Sequence, residues 1–281
     1  MNKRSRYHFH LGAPDPEMDF IEDILKLLQI PYTYAMYRGA RVHHCDAYRA
    51  EHVPAREIGR RTLVFVECAV RRQPPDILID HHNPGDAGHS LGPEHFWEAS
   101  SVGQLFALLE LAPTDNAKLI AAADHCYAAA VRGKCPGIEP YKVRKLKREG
   151  MYKHEHPNMD HGLIQRYVDR LQRSPQIVLA DERVVFLPED LGRGHAPEYI
   201  AAQYAATELG VPVILRNHMP HSRQQRLHLC GPLEPFTVKY FMQFWAPRHE
   251  LVRVYGAPMR GYAGGYLEYL FDLDLFLEDS K

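Results

Sequence analysis

The chain has 281 residues, enough for two domains that each bury a core. Its 34 basic and 35 acidic side chains leave a formal charge of −1, which argues against a protein held on nucleic acid by bulk charge. Five cysteines with no CxxC pair argue against a disulfide framework and suit a reducing cytoplasm; no apolar run is long enough to span a membrane, and the basic opening MNKRSRYHFH lacks the apolar core of a secretory signal.

Residues 6–11 (RYHFHL) alternate and predict a first strand, and 12–16 (GAPDP) predict a loop. Met18, Ile21, Leu25 and Leu28 then recur at helical spacing, and 31–36 (PYTYAM) read as a second strand. Leu63–Val66 predict a third strand, ending at Glu67. The apolar run Ile77-Leu78-Ile79 drives into Asp80-His81-His82 and stops at Asn83-Pro84-Gly85-Asp86. That pattern is a buried parallel strand delivering an acid and two imidazoles to its carboxyl end, where open α/β sheets place their ligands. Ser100-Ser101 opens a helix with Val102, Leu105, Phe106 and Leu109 on one face, and 115–131 predict an Ala-rich helix carrying Asp124. Strands alternating with helices predict an α/β fold, a doubly wound and mostly parallel sheet over residues 1–132.

Residues 133–175 read as a linker with helical pieces. The basic stretch 132–148 (Arg132, Lys134, Lys142, Arg144, Lys145, Lys147, Arg148) is either a solvated helix face or a phosphate contact. From 176 to 281 a smaller α+β domain is expected. It has a hairpin turning at Asp181-Glu182, a helix over 197–209 stopped by Gly210, and strands over 211–215, 226–230 and 250–255. A helix over 235–245 brings Phe241, Phe244 and Trp245 to the core, and 261–265 form a glycine loop. His43-His44-Cys45 fit a surface loop better than a zinc site, and His154, His156, Asp160 and His161 fit a solvated linker better than a metal site. Arg216, Asn217, His218 and His221 end a strand of this second domain.

Three segments together resemble the DHH phosphoesterase superfamily. They are Asp80-His81-His82, then Glu98-Ala99-Ser100-Ser101-Val102-Gly103, then Asp124 after Leu119–Ala123, with Gly264-Gly265 in the second domain resembling a companion substrate domain. The superfamily includes RecJ-type exonucleases, manganese-type inorganic pyrophosphatases, and nanoRNA or cyclic-dinucleotide phosphodiesterases. The resemblance implies an active-site cleft between the domains holding two divalent cations, with Mn²⁺ the first choice. It implies His10, Asp15, Glu17 or Asp19, Glu67, His81 or His82, and Asp124 as metal ligands. Asp80, His81 and His82 would form the catalytic group, with Asp80 orienting a histidine or ligating, and Arg216, His218, Gly264 and Gly265 would bind substrate. The chain departs from the family pattern at four places. One extra residue separates His10 from Asp15, Glu17 replaces an aspartate unless Asp19 serves, Glu67 stands where aspartate is usual, and Gly264-Gly265-Tyr266 replaces a Gly-Gly-Gly-His ending.

The expected activity is hydrolysis of a phosphodiester or phosphoanhydride in a small nucleotide or short oligonucleotide, by a water that two metals activate. The alternative is a catalytically degenerate relative that binds a nucleotide or a partner protein without turnover. A cytoplasmic protein is expected, with no membrane and no long nucleic acid as partner; a homodimer is left open.

Overall fold

A computed structural model describes residues 6–43, 46–51, 53–150, 153, 158–193, 196–218, 224–258 and 261–267. The fold is mixed α/β, with a parallel four-stranded sheet and a separate mixed six-stranded sheet. The chain divides into two compact units, the first Met1–His125 with Cys135–Ile138, the second Cys126–Lys134 with Glu139–Lys281.

The first unit begins with β1 (Tyr7–Leu11), buried at every position, and α1 (Pro16–Leu27). Asp15 caps α1 by accepting from the Met18 amide, Pro16 takes the first helical position, and Met18, Ile21 and Leu25 form its buried stripe. Then come β2 (Tyr32–Tyr34), the small hairpin β3 (Met36–Tyr37) and β4 (Ala40–Arg41), and the short α2 (Ala55–Ile58). β5 (Thr62–Val66) and β6 (Ile77–Ile79) complete a parallel sheet in the order β2-β1-β5-β6. With β2 on one side of β1 and β5 on the other, the winding direction reverses there. Open parallel sheets bind ligands beyond the carboxyl ends at such a switch point. β6 is an edge strand, so Leu78 is exposed rather than buried as expected for a central strand. α3 (Phe96–Ala99), α4 (Ser101–Leu108, capped by Ser100) and α5 (Asp115–His125) follow. The helix expected through 131 breaks at Cys126 (φ −144°, ψ 49°), one residue past His125.

The second unit contains α6 (Tyr127–Val131), α7 (Pro140–Gly150), α8 (His161–Leu171), β7 (Gln176–Leu179), β8 (Glu182–Arg193) and α9 (Pro197–Leu209). β9 (Val213–His218), β10 (Gln225–Cys230), α10 (Pro235–Tyr240), α11 (Ala246–Arg248), β11 (Leu251–Ala257) and β12 (Tyr262–Leu267) follow. The sheet order is β11-β12-β10-β9-β8-β7, antiparallel except for β8 with β9.

Four sequence expectations change here. Residues 139–171 are not a linker: Ile164, Tyr167, Val168 and Leu171 of α8 form an apolar stripe packed against Tyr199, Ile200 and Ala205 of α9. The second unit is therefore the larger, not the smaller. The hairpin turns at Ala180-Asp181, both at positive φ (49° and 71°), the backbone a two-residue hairpin requires. The glycine loop is β12, paired on both edges; a Cβ at Gly264 would lie 2.4 Å from Tyr255 Oη, and one at Gly265 would lie 2.9 Å from Leu251 Cβ. Between α10 and α11 the helix takes a π turn; Phe241 and Trp245 enter the core, but Phe244 is 61% exposed. Among the described residues no helix is long and apolar enough to cross a membrane.

Candidate metal centre

Four side chains from four elements meet beyond the carboxyl ends of the parallel strands. Glu17, in the first turn of α1, is fully buried. Its Oε1 accepts from the Val102 amide at the start of α4 (2.9 Å), while Oε2 is sealed from solvent without a donor. Glu67 follows β5 in a left-handed conformation (φ 50°), uncommon for a residue with a side chain and a mark of constrained sites. Its amide donates to the Ile79 carbonyl (3.0 Å), and its Oε1 accepts from the Ser101 hydroxyl (2.7 Å). His81 follows β6, buried, with Nε2 3.1 Å from Asp124 Oδ2 and Nδ1 3.9 Å from Glu67 Oε1. Asp124 sits in the last turn of α5. Glu17, Glu67, His81 and Asp124 each bring a ligand atom within 4.8 Å of the others, and Glu67, His81 and His82 form a second such group.

The electrostatics suit a cation site. Burial, then the charges of Asp124 and Glu67, push the Glu17 carboxyl well above its ordinary range. For His81, burial alone would favour the neutral ring, but the hydrogen bond and charge of Asp124, with Glu67, raise its pKa. Burial would raise Asp124; the hydrogen bond and charge of His81 outweigh it and hold the carboxyl low. Three carboxylates with one imidazole suit a divalent cation of the hard-to-borderline kind.

Asp80 is clamped beside this group. Its Oδ1 accepts from the His81 amide (2.7 Å), the His82 amide (2.9 Å) and His82 Nδ1 (2.9 Å), and Oδ2 accepts from the Tyr48 hydroxyl (2.9 Å). The His81 and His82 rings stack with centroids 4.5 Å apart. Gln104 donates to both the Asp80 and Ala99 carbonyls, tying the strand end to α4.

Of the residues expected from sequence, Glu17, Glu67, His81 and Asp124 come together, and His82 joins through the second group. It is His81, not His82, that enters the four-residue group. His10, Asp15 and Asp19 belong to neither. His10 turns to Thr33 (Nδ1 to Oγ1, 2.9 Å) and lines a separate cavity of about 480 Å³ with Tyr32, Glu51 and Glu57. Asp15 spends its carboxylate on the cap of α1, and Asp19 lies further along that helix. In the second unit, Arg216 donates to the Pro188 carbonyl, His218 pairs with Asp190 (3.3 Å), and Gly264 and Gly265 lie within β12. Much of the basic stretch is matched by acids, with Arg132 and Lys134 on Glu234, Lys142 on Glu139 and Arg148 on Glu208. Asp160 caps α8, whose first residue is His161. His44, Cys45, His154, His156 and His221 lie outside the described residues.

Tyr48, the Ser101 hydroxyl and His125 were not expected at the site; His125 sets its ring edge-on to His81 at 5.1 Å. Two carry a signal in the sequence, Ser101 in the Ser-Ser segment that opens α4 and His125 as the neighbour of Asp124. The first unit is thus an α/β unit with a buried group of three acids and a histidine able to hold a metal ion. No protein-family model matches the chain, and no curated protein matches it in sequence.

Proposed function

We propose that the protein is a metal-dependent phosphoesterase of the DHH type, hydrolysing a phosphodiester or phosphoanhydride in a small nucleotide or short oligonucleotide. The observation that carries this reading is the buried Glu17-Glu67-His81-Asp124 group at the strand ends, beside the Asp80-His81-His82 segment. These four residues would hold one divalent cation, Mn²⁺ the first choice, and Glu67, His81 and His82 mark where a second would sit. A cation bound there supplies Lewis acidity toward a phosphoryl oxygen and lowers the pKa of water. The chain's own groups do the rest. The Val102 amide and the Ser101 hydroxyl fix Glu17 and Glu67, so little reorganisation is needed on binding. The Asp80 carboxylate only accepts, so His82 carries its proton on Nδ1 and presents Nε2 as an acceptor. With its side chain 28% exposed, His82 would offer this Nε2 to the second cation.

The test is hydrolysis of bis-p-nitrophenyl phosphate and short oligonucleotides by Mn²⁺-loaded protein, with loss in Asp124→Ala and His81→Ala. His10, Asp15 and Asp19 standing apart from the group favours the second reading, binding without turnover. Stoichiometric Mn²⁺ uptake with no hydrolysis of any ester selects that reading. No uptake of Mn²⁺ or Zn²⁺ by the intact chain sinks both.

A further inference from the structure

The second unit holds a part-buried polar nest whose charge is unbalanced among the described residues. Arg226 and His228 alternate on one face of β10. Across the sheet Arg226 pairs with Asn217 of β9, and His228 pairs with Gly264 of β12. Tyr199 and Gln203 of α9 wall this face. Arg226 Nε donates to Asn217 Oδ1 (2.9 Å) and Nη2 donates to Tyr199 Oη (3.0 Å). Gln203 Nε2 also donates to Tyr199 Oη (3.1 Å). Among the described residues no carboxylate meets the Arg226 guanidinium, although the residue is half-buried. An ion taken from water without a partner costs several kcal/mol, so proteins seldom leave one so.

The remaining hydrogen-bonding capacity of the nest has one sign. Tyr199 Oη already accepts two N–H groups, so its own proton goes to His228 Nδ1. Burial and the Arg226 charge push the His228 pKa down to about 3, so the ring is neutral and bears its proton on Nε2. Asn217 is completely buried and uses Oδ1 as the acceptor for Arg226; its Nδ2 is left with no acceptor. Beyond what Arg226 gives to Asn217, Tyr199 and Tyr255, the unspent groups are its remaining outer N–H bonds, the Asn217 amide and the His228 Nε2–H, all donors. Gly264, with no side chain, leaves the place beside His228 to the Tyr255 ring, whose hydroxyl lies 2.4 Å from where a Cβ would stand.

We propose that Arg226, Asn217 and His228 form a binding site for an oxyanion, a phosphate or a carboxylate borne by a small ligand, distinct from the metal centre. The site uses a guanidinium for charge and two neutral donors for direction, the combination that recognises a phosphate or carboxylate edge. It does not rest on the phosphoesterase reading, because the nest and the metal centre share no residue.

The test is thermal melting and calorimetric titration of the full chain, stripped of metal, with inorganic phosphate and with acetate at constant ionic strength. In the wild type, and equally in Asp124→Ala, at least one of the two anions is expected to bind and raise the melting temperature. A preference for phosphate assigns a phosphate ligand, and a preference for acetate assigns a carboxylate ligand. In Arg226→Met the binding constant is expected to fall roughly 10- to 100-fold, the loss of charge-assisted hydrogen bonds, while the ligand-free protein melts no lower than wild type. Arg226→Lys keeps the charge without the fork and is expected to bind at an intermediate level, so a poorly folding methionine variant leaves the question answerable. Equal responses in all four proteins, no response to either anion, or a response lost in Asp124→Ala would each overturn the proposal. An Arg226→Met protein that melts lower yet still binds shows the arginine to be structural, and overturns it too.

Discussion

Replacing Glu17 by glutamine separates a ligand carboxylate from a merely buried one. Glu17 is sealed, has one oxygen without a donor, and faces Asp124 and Glu67, whose charges oppose its ionisation. Glutamine keeps an oxygen for the Val102 amide and turns the orphaned oxygen into an N–H donor toward the neighbouring carboxylates. Relieving an unsatisfied buried polar atom is worth about 1–3 kcal/mol. At ~2–4 °C per kcal/mol for a domain of this size, metal-free Glu17→Gln should melt roughly 2–12 °C above wild type at about pH 8. The sign with pH follows from the direction of the shift. A carboxyl whose folded pKa is raised contributes stability that is fully present below its unfolded pKa of ~4.3 and is lost as pH rises through the folded value. The advantage of glutamine should therefore shrink at about pH 5, where Glu17 keeps its proton, and grow with alkalinity. With Mn²⁺ at about 1,000 times its Kd the order reverses, because wild type gains ~4.1 kcal/mol and the variant gains little. Circular-dichroism melts at the two pH values, in EDTA and in Mn²⁺, provide all four numbers. A variant that melts below wild type in EDTA at both pH values, with an undiminished Mn²⁺ response, would refute the reasoning.

Metal uptake should release protons, because Glu17 and His81 both favour their protonated forms in the metal-free group. Calorimetric enthalpies of Mn²⁺ binding at mildly acid pH should become more exothermic as the ionisation enthalpy of the buffer rises, with a slope of about one to two protons released per ion; a flat line contradicts this. Tyr48→Phe removes the donor to Asp80 Oδ2 and should cost about 1–2 kcal/mol at neutral pH. Burial opposes the ionised Asp80, but His82 and Tyr48 hold its pKa down, so its contribution is present above the unfolded value and lost in acid; the variant's acid-unfolding midpoint should move to higher pH. Gly12→Ala would put a Cβ 2.4 Å from the Glu67 carbonyl oxygen, and moving that backbone should weaken Mn²⁺ about 10- to 100-fold by titration while the chain still folds. Ser101→Ala removes the donor to Glu67 Oε1 and should weaken Mn²⁺ by a similar roughly 10- to 100-fold, at a cost of about 1–2 kcal/mol in the metal-free melt.

The strand ends were legible because apolar runs stop abruptly at charged residues. Thr62–Val66 halts at Glu67 and Ile77–Ile79 at Asp80, and both turn inward. The choice among neighbouring ligand candidates follows local rules that a ligand pattern alone does not weigh. Asp15 precedes a proline at the first helical position, which marks it as a cap and leaves Glu17 in the first turn as the inward acid. His10 alternates with Phe9 and Leu11, and its register partner is Phe65, so it leaves for the cavity beside Thr33. Gly264 and Gly265 suggested a loop because glycine weakens strands. What they accommodate, Tyr255 and Leu251 of the next strand, is a tertiary fact invisible in a local window. The same holds for α8, whose polar residues masked a four-residue apolar stripe.

The two polar centres differ in the kind of group each leaves unsatisfied, and that difference specifies ligand charge more sharply than net charge does. In the first unit the sealed Glu17 Oε2 is an acceptor without a donor among three acids. Only a cation can serve several acceptors at once, since a single proton serves one or two. In the second unit the sealed Asn217 Nδ2 is a donor beside a neutral imidazole and a guanidinium that meets no carboxylate among the described residues. Only an oxyanion offers that many lone pairs in so small a volume. With a formal charge of −1, the whole chain gives no hint of either preference. Both are local, and both follow from which atoms are buried without partners.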